Sequence, residues 1–201
     1  ESDQFMRPSI VLDFDYRVVL YQENQWLKLI HILSVNTIGE NIRILVKRAH
    51  KTFIVAGQEA DINEMFLYKV QKSDVYGKQL MMLIKVAQML KVSISKIIIG
   101  IDDPAGYPGY EIEKIRIYFG RNLRKLIFWV GFKSTAEFSR IAGLNPTHVS
   151  RFMSGEQFPE VKNFLKIVRV LPWPMDFYLA NEALSDEFIF NWESQIGWNR
   201  P

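Results

Sequence analysis

Ser134-Thr-Ala-Glu-Phe-Ser-Arg-Ile-Ala-Gly-Leu-Asn-Pro-Thr-His-Val-Ser-Arg-Phe-Met-Ser-Gly-Glu-Gln-Phe-Pro159 is the stretch whose reading decides the fold. Phe138, Ile141 and Ala142 fall on one face of a short helix. Gly143 then stops it, glycine being the usual residue where a helix ends in a left-handed conformation. Leu144 plugs the core, Asn145 is a good N-cap, and Pro146 suits the first helical position because its missing N–H has no intrahelical partner there. Val149 and Phe152 bury the inner face of a second short helix that ends at Gly155. The stretch predicts a helix, a tight turn and a second helix, apolar on their inner sides.

The outer face of that second helix carries Thr147, His148, Ser150 and Arg151, small polar or cationic side chains with no acid among them. Such a face can enter the major groove of DNA, where Arg pairs with guanine and Ser or Thr contacts bases or phosphates. The amides at a helix N-terminus add donors for phosphate. For His148 a packing or capping role and a base contact stand side by side as readings.

Working outward, the chain repeats itself. Gly39, Asn41, Ile42, Arg43 and Leu45 are matched 81 positions later by Gly120, Asn122, Leu123, Arg124 and Leu126. Leu83-Ile-Lys-Val86 through Leu90 is matched at the same offset by Phe164-Leu-Lys-Ile167 through Leu171. Between these anchors the apolar pattern fits at 82: Ile62 with Leu144, Leu67 with Val149, Val70 with Phe152. One residue gained in a loop and lost in the next accounts for the slip, and the chain reads as two copies of one domain. Thr37-Ile-Gly-Glu40 has the form of a capping box opening the first helix of the first copy, and Gly77 to Lys91 is a further amphipathic run. In the second copy the helices are predicted over 111–130, 134–142, 145–154, 159–171 and 174–181. Ile101 to Gly109, dense in Pro, Gly and Asp, marks the junction.

The stretch Ser134–Pro159 resembles the lambda-repressor-like, or XRE-family, helix-turn-helix. Ser134, Phe138, Ser139, Gly143, Leu144, Asn145, Val149, Gly155, Pro159, Phe164, Lys166 and Ile167 occupy that family's pattern without a gap. The first copy, from about Ile38 to Gly100, is similar more loosely, best over Leu83-Ile-Lys-Val-Ala87 and Leu90-Lys-Val-Ser93. Where the family often has a Gln contacting the DNA backbone, Thr135 and Phe53 stand instead. The resemblance implies an all-α fold: two tandem lambda-repressor-like five-helix domains, with a short β or helical N-terminal extension. The corresponding segments are 1–36 as extension, 37–101 as first domain, 102–110 as linker, 111–182 as second domain and 183–201 as an aromatic tail. It also implies a transcription regulator, a repressor by analogy, that works on double-stranded DNA, commonly as a homodimer on two half-sites.

The residues expected at the DNA are Ser134, Thr135, Asn145, Thr147, His148, Ser150 and Arg151 around the reading helix, with Arg121, Arg124 and Lys125 from the preceding helix and Lys69 from the first copy. Lys114 and Arg116 extend the cluster on the second copy, and Arg43, Lys47, Arg48 and Lys51 form another on the first. Taken singly, each is more simply a solvated cation on a helix face. Glu59, Asp61 and Glu64 flank the first copy's reading helix, about Asn63 to Lys72, and acids beside a phosphate-lined groove are repulsive. The second copy is therefore the expected principal reader, and the first a degenerate one serving as scaffold or dimer surface.

Bulk composition fits this and excludes other classes. Hydrophobic residues at 48% and charged ones at 23% are ordinary for a globular chain, and 14 Phe with 5 Trp supply material for two small cores. Zero cysteines exclude disulfides and thiolate metal sites. His31, His50 and His148 are scattered without ligand spacing, so no metal and no cofactor is expected. No phosphate loop or nucleophile elbow appears, and no enzyme is expected. No apolar run spans a bilayer and the polar start lacks a signal-peptide layout, so a cytoplasmic, nucleoid-associated protein without membrane or small-molecule partner is the reading. A net charge of +3 permits nucleic-acid binding without requiring it. The other reading that stays open is a protein-interaction module, antitoxin-like or adaptor, keeping the fold without reading DNA.

Overall fold

Polar side chains cap the starts of several helices. The structure, a computed structural model, describes residues 36–72, 79–100, 107–171, 173 and 175–181. In chain order the helices are α1 (Asn36–Arg48), α2 (Phe53–Glu59), α3 (Glu64–Lys72), α4 (Leu80–Leu90), α5 (Ile94–Ile99), α6 (Ile115–Trp129), α7 (Thr135–Ala142), α8 (Pro146–Ser154) and α9 (Val161–Val170), followed by a 3-10 helix, Met175–Leu179. Among the described residues there is no strand, so the chain is all-helical there. The N-terminal extension and the aromatic tail lie outside the described residues.

Hydroxyl and amide side chains open the helices as their chemistry dictates. The Thr52 hydroxyl accepts from the Val55 N–H at 3.3 Å, and Ser134 does the same for Glu137 at 3.1 Å. Asn63 accepts from Met65 at 2.8 Å and Asn145 from Thr147 at 2.8 Å. At three points the structure differs from the sequence reading. Helix α1 runs from Asn36, upstream of the predicted start at Thr37, and Glu40 gives its carboxylate to Arg43, with Nε–Oε2 at 2.9 Å. Helix α6 also starts later than the predicted 111, because Ile112–Lys114 form a turn, and the last predicted helix is a short 3-10 segment.

The contacts recur at the offsets found in the sequence. Helix α1 packs on α3 and α5, while α6 packs on α8 and the 3-10 helix; α2 meets α3 and α4, while α7 meets α8 and α9. Gly39 and Gly120 each sit where the first helix of the set crosses the third. A Cβ on Gly39 would run into the Val70 carbonyl oxygen and the Gln71 Cα, and one on Gly120 would lie 2.5 Å from the Phe152 carbonyl oxygen. Only glycine permits those approaches. Asn41 donates to the Ile97 carbonyl at 3.0 Å; Asn122, fully buried, donates to the carbonyls of Phe177 at 3.0 Å, Tyr178 at 3.3 Å and Ala180 at 2.9 Å. Lys85 reaches the Asp61 carbonyl at 3.0 Å, and Lys166 the Gly143 carbonyl at 2.7 Å. Both of those carbonyls belong to the left-handed residue that ends the second helix, φ 51° at Asp61 and φ 61° at Gly143.

The interior of the second set is aromatic. Phe119 on α6 is fully buried, with ring centroids of Phe158 at 5.4 Å, Phe164 at 6.1 Å, Tyr178 at 6.3 Å and Phe152 at 6.4 Å. Truncating such a side chain costs roughly 3–5 kcal/mol. Phe152 ties α8 into this cluster, so the placement of α8 is a consequence of core packing. In the first set the corresponding interior is aliphatic: Ile42, Val46, Leu67, Leu83, Ile84 and Ile97 are buried.

Candidate nucleic-acid interface

Helix α8 is fixed at both ends and along its inner side. Asn145 caps its start, Pro146 fills the first helical position, and Gly155 closes it in the left-handed region at φ 77°. Val149 and Phe152 are buried at 0% and 1% exposure, while Thr147, His148, Ser150 and Arg151 are exposed. Those four form one outward face, and no carboxylate stands on the helix. The nearest acid on α7, Glu137, is half-buried and accepts from the Lys133 N–H at 2.8 Å, so its charge is engaged beside the Ser134 cap. What remains presented is a row of hydroxyls, an imidazole and a guanidinium on a rigid support.

The other expected residues divide. Ser134 and Asn145 are exposed but spend an oxygen each on helix caps. Thr135 is half-buried: its hydroxyl lies 3.9 Å from the Met153 sulfur and its carbonyl accepts from Ser139 at 2.7 Å. Arg124 is exposed on α6 and Lys125 half-exposed. Arg121 is turned to internal use. Its guanidinium lies over the Tyr118 ring, 5.1 Å from the centroid, and 3.5 Å from the Ala180 carbonyl. Lys69 is exposed on α3. His148 keeps one flank toward the Phe152 ring, 6.3 Å between centroids.

The corresponding face in the first set is largely apolar and keeps only the cation. At the offset of 82, Met65 stands for Thr147, Tyr68 for Ser150, Lys69 for Arg151, and Phe53 and Ile54 for Thr135 and Ala136. Ile54 is 48% exposed, Met65 53% and Tyr68 37%, and Phe53 meets Tyr68 edge-on at 5.3 Å. This apolar outward face was not among the expected residues, although aligning the two copies residue by residue displays it. The flanking acids behave differently from the expectation as well. Glu59 pairs with Lys51 at 2.7 Å and Asp61 with Lys85 at 2.8 Å, and the Lys85 ammonium holds the Asp61 carboxyl below its ordinary range. Glu64 is exposed at the start of α3.

Among the described residues no group of His, Cys, Asp and Glu could hold a metal ion, and no helix is long and apolar enough to cross a membrane. No protein-family model, curated protein or solved structure matches the chain.

Proposed function

We propose that the chain is a sequence-specific double-stranded DNA-binding regulator, with no catalytic role, that reads the major groove with α8. In this reading residues 37–101 and 111–182 are two tandem five-helix domains of the lambda-repressor-like kind, joined by 102–110. The observation that carries it is the outward face of Thr147, His148, Ser150 and Arg151, free of acids, on a helix pinned to the core by Val149 and Phe152. A reading helix needs both properties. Base discrimination at ~1–3 kcal/mol per good bidentate contact requires side chains held in register, and phosphate proximity penalises carboxylates. Arg151 is the candidate guanine reader, Thr147 and Ser150 contact base or phosphate, and Arg124 and Lys125 line the backbone. Repression as the output rests on the family resemblance alone.

Selection from a random duplex pool at near-physiological salt tests the reading. Recovery of a motif is expected. Arg151→Ala then weakens specific binding by ~1–3 kcal/mol, while Lys125→Ala weakens all sequences alike and lowers the salt slope by about one. Equal loss on specific and random DNA for Arg151→Ala removes its role as a reader.

A second reading, a protein-interaction module, is favoured by one observation: the exposed Ile54, Val55, Met65 and Tyr68 on α2 and α3. Salt-insensitive binding to a protein with no DNA retention at low salt selects it.

A further inference from the structure

In the 81-residue register, α5 and the 3-10 helix are the same element of the two halves: Ile94 stands for Met175, Ser95 for Asp176 and Ile97 for Tyr178. The structure carries a second mark that the two elements are equivalent, because Asn41 holds the Ile97 carbonyl while Asn122 holds the carbonyls of Phe177, Tyr178 and Ala180 at the 3-10 segment. These two equivalent elements also pack against each other, and that is the principal contact between the two sets of helices. At the centre of the contact the touching residues are equivalent, Ser95 and Asp176. The Ser95 N–H and the Ser95 hydroxyl each lie 3.3 Å from Asp176 Oδ2. The Ile94 N–H donates to Asp176 Oδ1 at 2.9 Å and shares its hydrogen with the Tyr110 hydroxyl at 2.7 Å, and that hydroxyl in turn donates to the same carboxylate oxygen. Ser95 and Asp176 are both fully buried.

A surface that meets its own counterpart is isologous, the contact that a two-fold axis makes; stacking by translation would bring different elements of the two halves together. We propose that the two halves are related by a local two-fold axis passing between Ser95 and Asp176, so that one chain is its own dimer. The chemistry at the axis favours the two halves of one chain over two copies of either half. Asp176 against a second Asp176 would bury two carboxylates together, one of which would have to stay protonated. Ser95 against Ser95 would take from the Ser95 amide the carboxylate it meets at 3.3 Å. With serine against aspartate, Ser95 supplies donors to Oδ2 while the Ile94 N–H and the Tyr110 hydroxyl supply Oδ1, so the break in symmetry at this position favours the pairing seen here.

Resting on the DNA reading above, the consequence is that α3 and α8 take symmetry-related positions at the DNA, α8 as the acid-free reader and α3, with exposed Glu64 in its first turn, as its unlike counterpart, and a single chain occupies one site. Two-fold readers address half-sites about one helical turn apart. Here the half-sites are unlike, because one helix offers Thr147, Ser150 and Arg151 where the other offers Met65, Tyr68 and Lys69.

Distances between spin labels test the axis without DNA. The native chain has no cysteine, so paired cysteines introduced at exposed positions are labelled alone. A two-fold axis requires the Lys69-to-Ser154 distance to equal the Lys72-to-Arg151 distance, since Lys69 is equivalent to Arg151 and Lys72 to Ser154. Both are measured by pulsed electron resonance in excess unlabelled chain, so that only pairs within one chain report. The expected result is two narrow distributions with the same mean. Three residues of helix span about 4.5 Å, so a translational relation along the helices would separate the two means by up to about 9 Å. Unequal means, or broad distributions, overturn the axis and leave DNA reading by α8 untouched. Equal narrow means with no motif recovered from the duplex pool sink the DNA reading and leave the axis standing. With DNA, one chain protecting two unlike half-sites is expected. Two chains, one on each half-site, overturn the built-in dimer.

Discussion

Replacing Gly120 by alanine adds one methyl group where α6 crosses α8, and the structure decides the sign of the effect. Two terms oppose each other. Alanine in a helix interior is favoured over glycine by ~0.8–1.0 kcal/mol, so propensity alone predicts a more stable protein. The added Cβ, however, would lie 2.5 Å from the Phe152 carbonyl oxygen, 2.7 Å from the Met153 carbonyl oxygen and 3.0 Å from the Met153 carbonyl carbon. Ordinary contact begins near 3.4 Å, and all three atoms are backbone, so no side chain can swing aside. The helices have to part by roughly 0.9 Å, which disturbs the packing of Phe152 against Phe119. Overpacking on this scale costs ~1–3 kcal/mol, and a rigid backbone target puts the cost at the upper end. The net expectation is a loss on the order of 1–2 kcal/mol, or a Tm lowered by roughly 3–6 °C for a chain of this size. Circular dichroism during heating, with urea titration as a second measure, reads the result. Because α8 itself is displaced, the DNA selection proposed for Arg151 should weaken in the same variant. A Gly120→Ala protein as stable as the parent, or more so, refutes the close crossing and with it the account of how α8 is positioned. Gly39→Ala meets the Val70 carbonyl and should lose stability similarly while leaving α8 in place.

Two further perturbations address the frame. Lys166→Met removes the ammonium that holds the Gly143 carbonyl at 2.7 Å, and about 1 kcal/mol should be lost in urea unfolding, as for a solvated hydrogen bond to a charge. Lys85→Met should cost a similar amount at the Asp61 turn, and a null effect in both variants would show that these lysines merely lie across the turns. The Asp61 carboxyl titrates below its ordinary range because Lys85 donates to it, so its contribution to stability is present above the unfolded value near about 3.9 and is lost as pH falls through the lower folded value. Asp61→Asn should therefore lower the urea midpoint slightly near pH 7 and flatten its decline below about pH 5. An unchanged pH profile would remove the ion pair from the stability of the turn.

What the sequence made legible was local. Caps such as Ser134 and Asn145, the stop at Gly143 and the buried spacing of Val149 and Phe152 depend on neighbours a few residues away, and the chain folds there as they indicate. The start of α1 falls at Asn36, one residue before Thr37, because a capping-box tetrapeptide is also compatible with the interior of a helix. Arg121 reads as a surface cation until Tyr118 and the Ala180 carbonyl, the latter 59 residues on, take its guanidinium inward. Asp176 reads as nothing in particular. Its meaning comes from the α5 amides, 81 and 82 positions away, which no pattern of nearest neighbours contains.

The comparison of the two halves separates residues that the fold requires from residues it does not. Glycine at the helix crossing, asparagine at the fifth helix and lysine at the turn recur because each satisfies a backbone contact that both halves make. The outward positions meet solvent, so the fold places no such demand on them, and there the halves diverge, Met65 and Tyr68 standing for Thr147 and Ser150. Writing the second half's residues into the first, Ile54→Ala with Met65→Thr and Tyr68→Ser, puts this to the test. Each of the three side chains is more than one-third exposed, so each change should alter stability by no more than about 0.5 kcal/mol, plus ~0.5–1.5 kcal/mol for the lost Phe53–Tyr68 edge contact. If the apolar face serves a protein partner, the triple variant loses that partner and keeps the DNA motif selected through α8. If the face reads its own half of the DNA site, the selected motif changes on that side alone. A loss of folding of several kcal/mol would instead make Ile54, Met65 and Tyr68 part of the frame, and the division between frame and face argued here would fail at its most exposed point.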